Sequence, residues 1–274
     1  MTSSPLEKLI GRTIILALMV FAAVPFVSML FTALQPRGTI PTGVAWPTDP
    51  QWVNFVAAFE AANLGALLGS SLAIALGVVP AALVIATMAG YGLAVLKVRG
   101  GQALFLFLLL GLTIPFESLI IPLYYQMEWL GLLNTRWAII LPLIGIFMPF
   151  GVYWMRTHFL SVPSDLNDAA RIDGAGPWAS LLRIHLPLAV PALSSLGILL
   201  FLWTWNQFLL AIVLVDDPLK RTAAGALGAF QGRYGTDIVL LCAGALLIMA
   251  PTILLFLFFQ RAVVTALLAG SVKG

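Results

Sequence analysis

Residues 13–34 read TIILALMVFAAVPFVSMLFTAL, a run without a single charged side chain. A helix crosses the hydrocarbon core of a bilayer with about 20 apolar residues, and this run is long enough to do so. It is too long for the core of a signal peptide and no small-residue cleavage site ends it, so it is expected to remain as a helix. Further apolar runs follow at residues 61–96, 102–127, 137–155, 186–215 and 238–259, and Glu117 is the one charge inside any of them. All are too long for strands of a barrel. The second run exceeds one crossing, so its early part, residues 63–71, is expected at the membrane interface. The expected fold class is all-α: a polytopic membrane protein with six transmembrane helices.

Composition agrees. The chain is 61% hydrophobic and 9% charged, with a mean hydropathy of +1.04, whereas a soluble domain carries about 25% charged residues. So little charge cannot cover a globular surface, and lipid must cover it instead. The formal net charge of +3 does not point to nucleic acid, because the basic residues are scattered through short connectors rather than gathered on one face. Prolines inside the runs (Pro25, Pro80, Pro115, Pro122, Pro149, Pro191, Pro251) are tolerable in a membrane bundle, where neighbouring helices re-satisfy freed backbone groups.

Six crossings place both termini on one side. That side collects Lys8, Arg12, Lys97, Arg99, Arg156, Arg171, Arg183, Arg261 and Lys273 against Glu7, Asp165, Asp168 and Asp173. The other holds Arg37, Arg136, Lys220, Arg221 and Arg233 against six acids. The positive-inside rule therefore makes both termini cytoplasmic. The organisation that follows is a cytoplasmic tail at 1–12, a six-helix region at 13–260 that includes an inner connector at 156–187, and a second tail at 261–274. Trp46, Trp52, Trp129, Trp137 and Trp154 fall near the expected span ends, where amphipathic rings settle at headgroups. Cys242 is the one cysteine, which excludes an intrachain disulfide, and it reads as a packing residue. His158 and His185 lie at connector ends without a second ligand at metal spacing, so they read as plain polar residues and no metal site is expected. No G-x-x-x-x-G-K-[ST] phosphate loop occurs, and no catalytic constellation is visible.

The inner connector departs from a simple polar turn. Residues 156–193 read RTHFLSVPSDLNDAARIDGAGPWASLLRIHLPLAVPAL. Pro163, Ser164 and Asp165 form a helix-start signal, with an acid placed to favour the positive end of the dipole. Helical character continues to Gly174, which with Ala175 and Gly176 permits a reversal, and Pro177 can open the next helix. Ala169 and Ala170 make one side of the short helix small and flat, and Asp168, Arg171 and Asp173 rim it. Such a helix suits either a groove in another protein or the headgroup layer of the membrane.

The stretch resembles the EAA loop of the permease subunits of binding-protein-dependent ABC importers. That pattern is Glu-Ala-Ala, three residues, Gly, nine residues, Ile, one residue, Leu-Pro. Here it falls on Asp168-Ala169-Ala170, Gly174, Ile184 and Leu186-Pro187 with every spacing kept, and with Asp168 in place of the usual Glu. The ending, Phe259-Gln260-Arg261 and Ala269-Gly270-Ser271-Val272-Lys273-Gly274, is similar to that of the smaller permease of maltose-type carbohydrate importers. Pro115 with Pro122-Leu123, Gly131-Leu132-Leu133-Asn134-Thr135, and Trp205-Asn206 with Phe208 match in order.

The resemblance implies a subunit that moves a sugar or sugar derivative into a bacterial cell by alternating access. Its partners would be a second permease subunit in a heterodimer, two ATPase subunits that bind ATP and Mg, and an extracytoplasmic substrate-binding protein; the chain itself would bind no cofactor and be no enzyme. Asp168, Ala169, Ala170, Arg171, Asp173, Gly174, Ile184, Leu186 and Pro187 would couple to an ATPase subunit, and Gly270, Ser271, Val272, Lys273 and Gly274 would reach the same interface. Polar and aromatic residues at membrane depth, Glu117, Tyr124, Tyr125, Gln126, Trp203, Trp205, Asn206 and Gln207, are the candidates for the solute pathway. The outer loop from Asp216 to Asp237 is a candidate contact for the binding protein. Importers of glycerol phosphate, polyamines or amino acids would carry a similar loop. An ATPase-independent secondary transporter would show repeated halves and a polar midplane site, and the sequence has neither.

Overall fold

Helices make up nearly all of the computed structural model, which describes residues 5–39, 43–225, 227, 231–232 and 235–271. In chain order they are α1 (Pro5–Ala33), α2 (Val53–Ala61), α3 (Leu64–Ala94), α4 (Gly101–Leu110), α5 (Ile120–Trp129), α6 (Trp137–Ser161), α7 (Ser164–Ile172), α8 (Pro177–Ser180), α9 (Leu186–Trp205), α10 (Leu209–Leu214) and α11 (Ile238–Ser271). Two-residue strands β1 (Gln231–Gly232) and β2 (Gly235–Thr236) pair antiparallel before α11. The chain divides into one unit of residues 1–65 with 227–251 and another of 66–226 with 252–274.

Five helical stretches are long and apolar enough to cross a membrane: Leu9–Ala33, Leu64–Ala94, Trp137–Ser161, Pro177–Trp205 and Ile238–Phe259. The sixth is a bent pair, Gly101–Thr113 and Phe116–Trp129, turned by 99°. This corrects the expectation of one helix over 102–127. Pro115 donates no backbone hydrogen bond and pushes the residue before it out of helical conformation. Ile114 is extended at φ −80° and ψ 121°, with short 3₁₀ turns on either side. The two halves still follow α6 along its length. A methyl on Gly111 would lie 2.7 Å from the Pro149 ring, and Arg156 sits 4.0 Å over the ring of Phe105 in α4, while Leu123 and Met127 of α5 share a groove with Leu141 and Pro142. The bent pair is thus a sixth candidate crossing beside the five unbroken ones.

Other bounds shift for local reasons. The six-residue extension of α6 beyond 155 to Ser161 takes up the start of the expected connector. The run 186–215 is not one helix, because α9 ends at Trp205 and α10 begins at Leu209. The Asn206 amide donates to the Leu202 carbonyl at 2.9 Å, and Gln207 Oε1 accepts from the Leu210 amide at 3.3 Å. These side chains occupy the backbone groups that a break leaves open. Asn63, at φ +50°, separates α2 from α3; α3 then runs without interruption through residues 64–71. Trp129, Trp137, Trp46 and Trp52 are exposed as headgroup anchors should be, but Trp154 donates Nε1–H to the Ala192 carbonyl at 3.1 Å and ties α6 to α9.

In the second unit, α3 and α6 pack through small residues. Ala82, Ala86 and Gly90 recur every fourth position along one face of α3, and Ala82 and Ala86 are fully buried. A methyl on Gly151 of α6 would meet the Ala86 methyl at 3.0 Å, and one on Gly90 would lie 2.8 Å from the backbone nitrogen of Arg156. Between helices in lipid there is no hydrophobic driving force, so close approach and dispersion contacts hold the pair together. Gly90→Val must push α6 aside. The expected loss is about 1–3 kcal/mol of stability, read as a lowered thermal midpoint in detergent, with Gly92→Ala, whose added methyl meets nothing within 4 Å, unchanged.

Candidate functional site

The connector between α6 and α9 is built by three local devices. Val162 is extended and Pro163 sits at the start of α7 with no side-chain capping bond, and Asp165 in the first turn complements the helix dipole. At the other end Gly174 takes φ +73°, the Gly174 amide donates to the Arg171 carbonyl at 3.1 Å, and the Ala175 amide donates to the Ala170 carbonyl at 2.8 Å. This is the paired bonding of a Schellman cap, which needs a left-handed residue at Gly174. Pro177 then opens α8. Residues Leu181–His185 form a π turn before α9. Pro187 has no N–H to give the Arg183 carbonyl four residues back, and the wider turn relieves its ring.

The expected alanine face divides. Adjacent helix residues point about 100° apart, as 3.6 residues per turn requires, so Ala170 is 5% exposed against its own chain while Ala169 faces outward. The outward stripe is Asp165, Asp168, Ala169 and Ile172, spaced as one helix face. Ile172 is 86% exposed. Sequence reasoning left it out of the coupling set, although its position four residues after Asp168 was a readable signal. Arg171, Asp173 and Gly174 are exposed beside the stripe. Ile184 and Leu186 are half-buried on the ascending helix and Pro187 is exposed there, away from α7 in sequence and in a different element. Of the tail, Gly270 and Ser271 close α11, whereas Val272, Lys273 and Gly274 fall outside the described residues.

A buried clasp fixes this connector to the bundle. Tyr91 of α3, Phe159 of α6 and His185 meet edge to face, with ring centroids 5.0 Å apart for Tyr91–His185 and 5.9 Å for each of the other pairs. Their exposures are 4%, 2% and 0%. The Tyr91 hydroxyl donates to the Pro177 carbonyl at 3.0 Å. His185 Nδ1 lies 3.2 Å from the Ser180 carbonyl. Ser180 Oγ lies 3.3 Å from the same nitrogen, so both oxygens of Ser180 hold the ring in place. His185 is thus no plain polar residue at a connector end but the buried joint between α8, α3 and α6.

The pathway candidates do not converge. An open groove of about 510 Å³ lies at the elbow of the bent pair, lined by Ile114, Phe116, Leu123, Gln126, Leu141 and Ile146 among others, and Gln126 is its one polar side chain. Glu117 is exposed in the turn after Pro115, and Tyr125 is exposed beside the half-buried Tyr124. Trp205 is 4% exposed and stacked on Phe201 at 5.3 Å. Asn206 and Gln207 are committed to the helix break described above, and Trp203 packs against Phe147 and Phe150. On the face opposite α7, polar staples hold the connectors. Arg136 donates to Ser70 Oγ at 2.9 Å, Asn134 Oδ1 accepts from the Asp217 amide at 2.9 Å, and Ser71 Oγ accepts from the Ala223 amide at 2.7 Å.

Residues 82–268 match the family described as the inner membrane component of binding-protein-dependent transport systems. The arabinooligosaccharides transport system permease protein AraQ of Halalkalibacterium halodurans is 35% identical over 96% of this chain and 95% of its own length. The trehalose transport system permease protein SugB of Mycobacterium tuberculosis is 32% identical over 93% of each. The fold is that of a chain in the crystal structure of a bacterial ABC transporter for import of the acidic polysaccharide alginate, with a TM-score of 0.79, 20% identity, and coverage of 95% of this chain and 99% of that one. The conformational demand at Gly174 gives a test: nothing lies within 4 Å of an added methyl, so Gly174→Val acts through backbone strain alone, about 1–2 kcal/mol. Hydrogen exchange at the 174 and 175 amides should accelerate about tenfold per 1.4 kcal/mol, while amides of α6 keep their protection.

Proposed function

The chain belongs to the inner membrane components of binding-protein-dependent transport systems, and on that premise we propose that it is one permease of a heterodimeric importer that carries a sugar or sugar derivative into a bacterial cell. It is a multi-pass membrane subunit, and the relatives named for arabinooligosaccharides and trehalose support an oligosaccharide or disaccharide cargo. Two ATPase subunits bind ATP and Mg and supply the energy, and an extracytoplasmic binding protein delivers the solute. Both termini and α7 face the cytoplasm, in keeping with the basic side of the chain.

The observation that carries this reading is the outward stripe of α7 on a joint that is buried and bonded. Asp168 and Asp165 offer carboxylates, Ala169 permits close approach, and Ile172 supplies an apolar anchor of the kind that dominates small interfaces. Arg171, Asp173 and Gly174 complete the contact with the ATPase subunit. When ATP draws the ATPase subunits together, α7 is displaced. The Tyr91–Phe159–His185 clasp passes that displacement to α3 and α6, because close-packed aromatic rings resist compression. Ala170, Ile184, Leu186 and Pro187 set the shape of the lever rather than touch the partner, and the tail at Gly270–Gly274 adds a second contact. Gln126 at the elbow groove is the preferred solute contact of this chain, followed by Tyr125 and Glu117.

Two measurements check the scheme. Purification of the tagged chain in mild detergent should recover an ATPase subunit, and Ile172→Asp should remove it while the chain stays in the membrane; retention of the ATPase by that variant overturns the docking face. Tyr91→Phe keeps the ring and loses a hydrogen bond worth about 1 kcal/mol. Uptake per ATP hydrolysed should fall while ATPase binding persists.

A further inference from the structure

The clearest feature outside the coupling machinery is α2, whose amphipathicity is the reverse of a soluble helix. Its buried positions are the polar Asn54 and the small Ala58, while Val53 and Val56 are 62% and 57% exposed and Trp52, just before it, is 62% exposed. Phe59, at 43% exposure, continues that stripe at helical spacing. Apolar side chains of this size, in one row and facing out of the chain, need a cover.

The height of α2 is fixed at the membrane from three directions. The Asn54 amide donates to the Ala33 carbonyl at 2.9 Å and the Gln35 carbonyl at 2.8 Å, which seats the start of α2 on the last turn of α1. Two residues after its end, α3 begins at Leu64 and enters its own apolar run. Along its length, Phe55, Val56, Phe59 and Glu60 share an open groove of about 270 Å³ with Leu247. Leu247 lies nine residues into α11, roughly 13 Å below the start of that helix at ~1.5 Å per residue, and α11 is uncharged from Ile238 onward to Phe259. A helix tied to two span ends and standing beside the third turn of a third span cannot rise clear of the bilayer. We infer that α2 lies in the bilayer interface, with its Trp52–Val53–Val56–Phe59 stripe covered by phospholipid and an acyl chain occupying the groove against Leu247. Trp and Phe suit that depth, since their rings combine apolar area with tolerance of the headgroup layer.

The test is a nitroxide on Val56→Cys in a Cys242→Ala background. The full chain is purified with the subunits that accompany it and placed in nanodiscs of phosphatidylethanolamine and phosphatidylglycerol. Collision with dissolved oxygen should exceed collision with a water-soluble nickel chelate, as for a label in lipid. Greater access to nickel means that the stripe faces water or a soluble partner, and loss of access to both means that another subunit covers it; either result overturns the inference. A control of ATPase co-purification with the labelled chain reports on the transport assignment separately, since that assignment does not depend on what covers α2.

Discussion

The crossing of α3 over α6 at Gly90 is the contact on which the remainder of the second unit depends. A hydrogen is the one substituent that fits there, because the backbone of Arg156 and the Cβ of Met155 stand where a methyl would go. Two helices this close exchange dispersion contacts along their length, and that is the main attraction available in a medium as apolar as the side chains themselves. The consequence lies one residue on. Tyr91 is carried to the level of Phe159, and its hydroxyl is left within reach of the Pro177 carbonyl. The connector between α6 and α9 is therefore anchored to α3 through ring packing and a buried hydrogen bond.

A second constraint shapes the spans: no backbone group can be left open where water is absent. Each interruption is closed differently. The kink at Ile114 and Pro115 is bracketed by 3₁₀ turns. The strain from Pro187 is spread into a π turn. The break after Trp205 is closed by the side chains of Asn206 and Gln207, with Thr222 donating to the Gln207 carbonyl. Residues of the α9–α10 break that look from composition like sugar ligands are thus partly spent on the fold. The elbow of the bent pair is different, because there the kink opens a groove and leaves Gln126 facing it.

Stiffness and exposure are divided along the chain in a way that suits a lever. The α7 stripe is exposed and capped by a backbone motif, so it can be gripped without unfolding. The clasp beneath it is buried almost completely, as a part that transmits displacement must be.

The number of apolar runs, the membrane class and the position of the connector helix with its Gly174 reversal were determined by the sequence alone, since each rests on local chemistry. Run length sets a crossing, and a glycine flanked by helix sets a left-handed cap. What only the tertiary structure decided is which neighbours those residues acquire. Ala169 and Ala170 are adjacent and alike, yet one faces out and the other in. His185 and Tyr91 are distant in sequence and meet in space, and α2 turned its large apolar side away from the chain. Periodicity tells which residues share a face, but burial depends on what packs against that face, and that is a property of the assembled bundle.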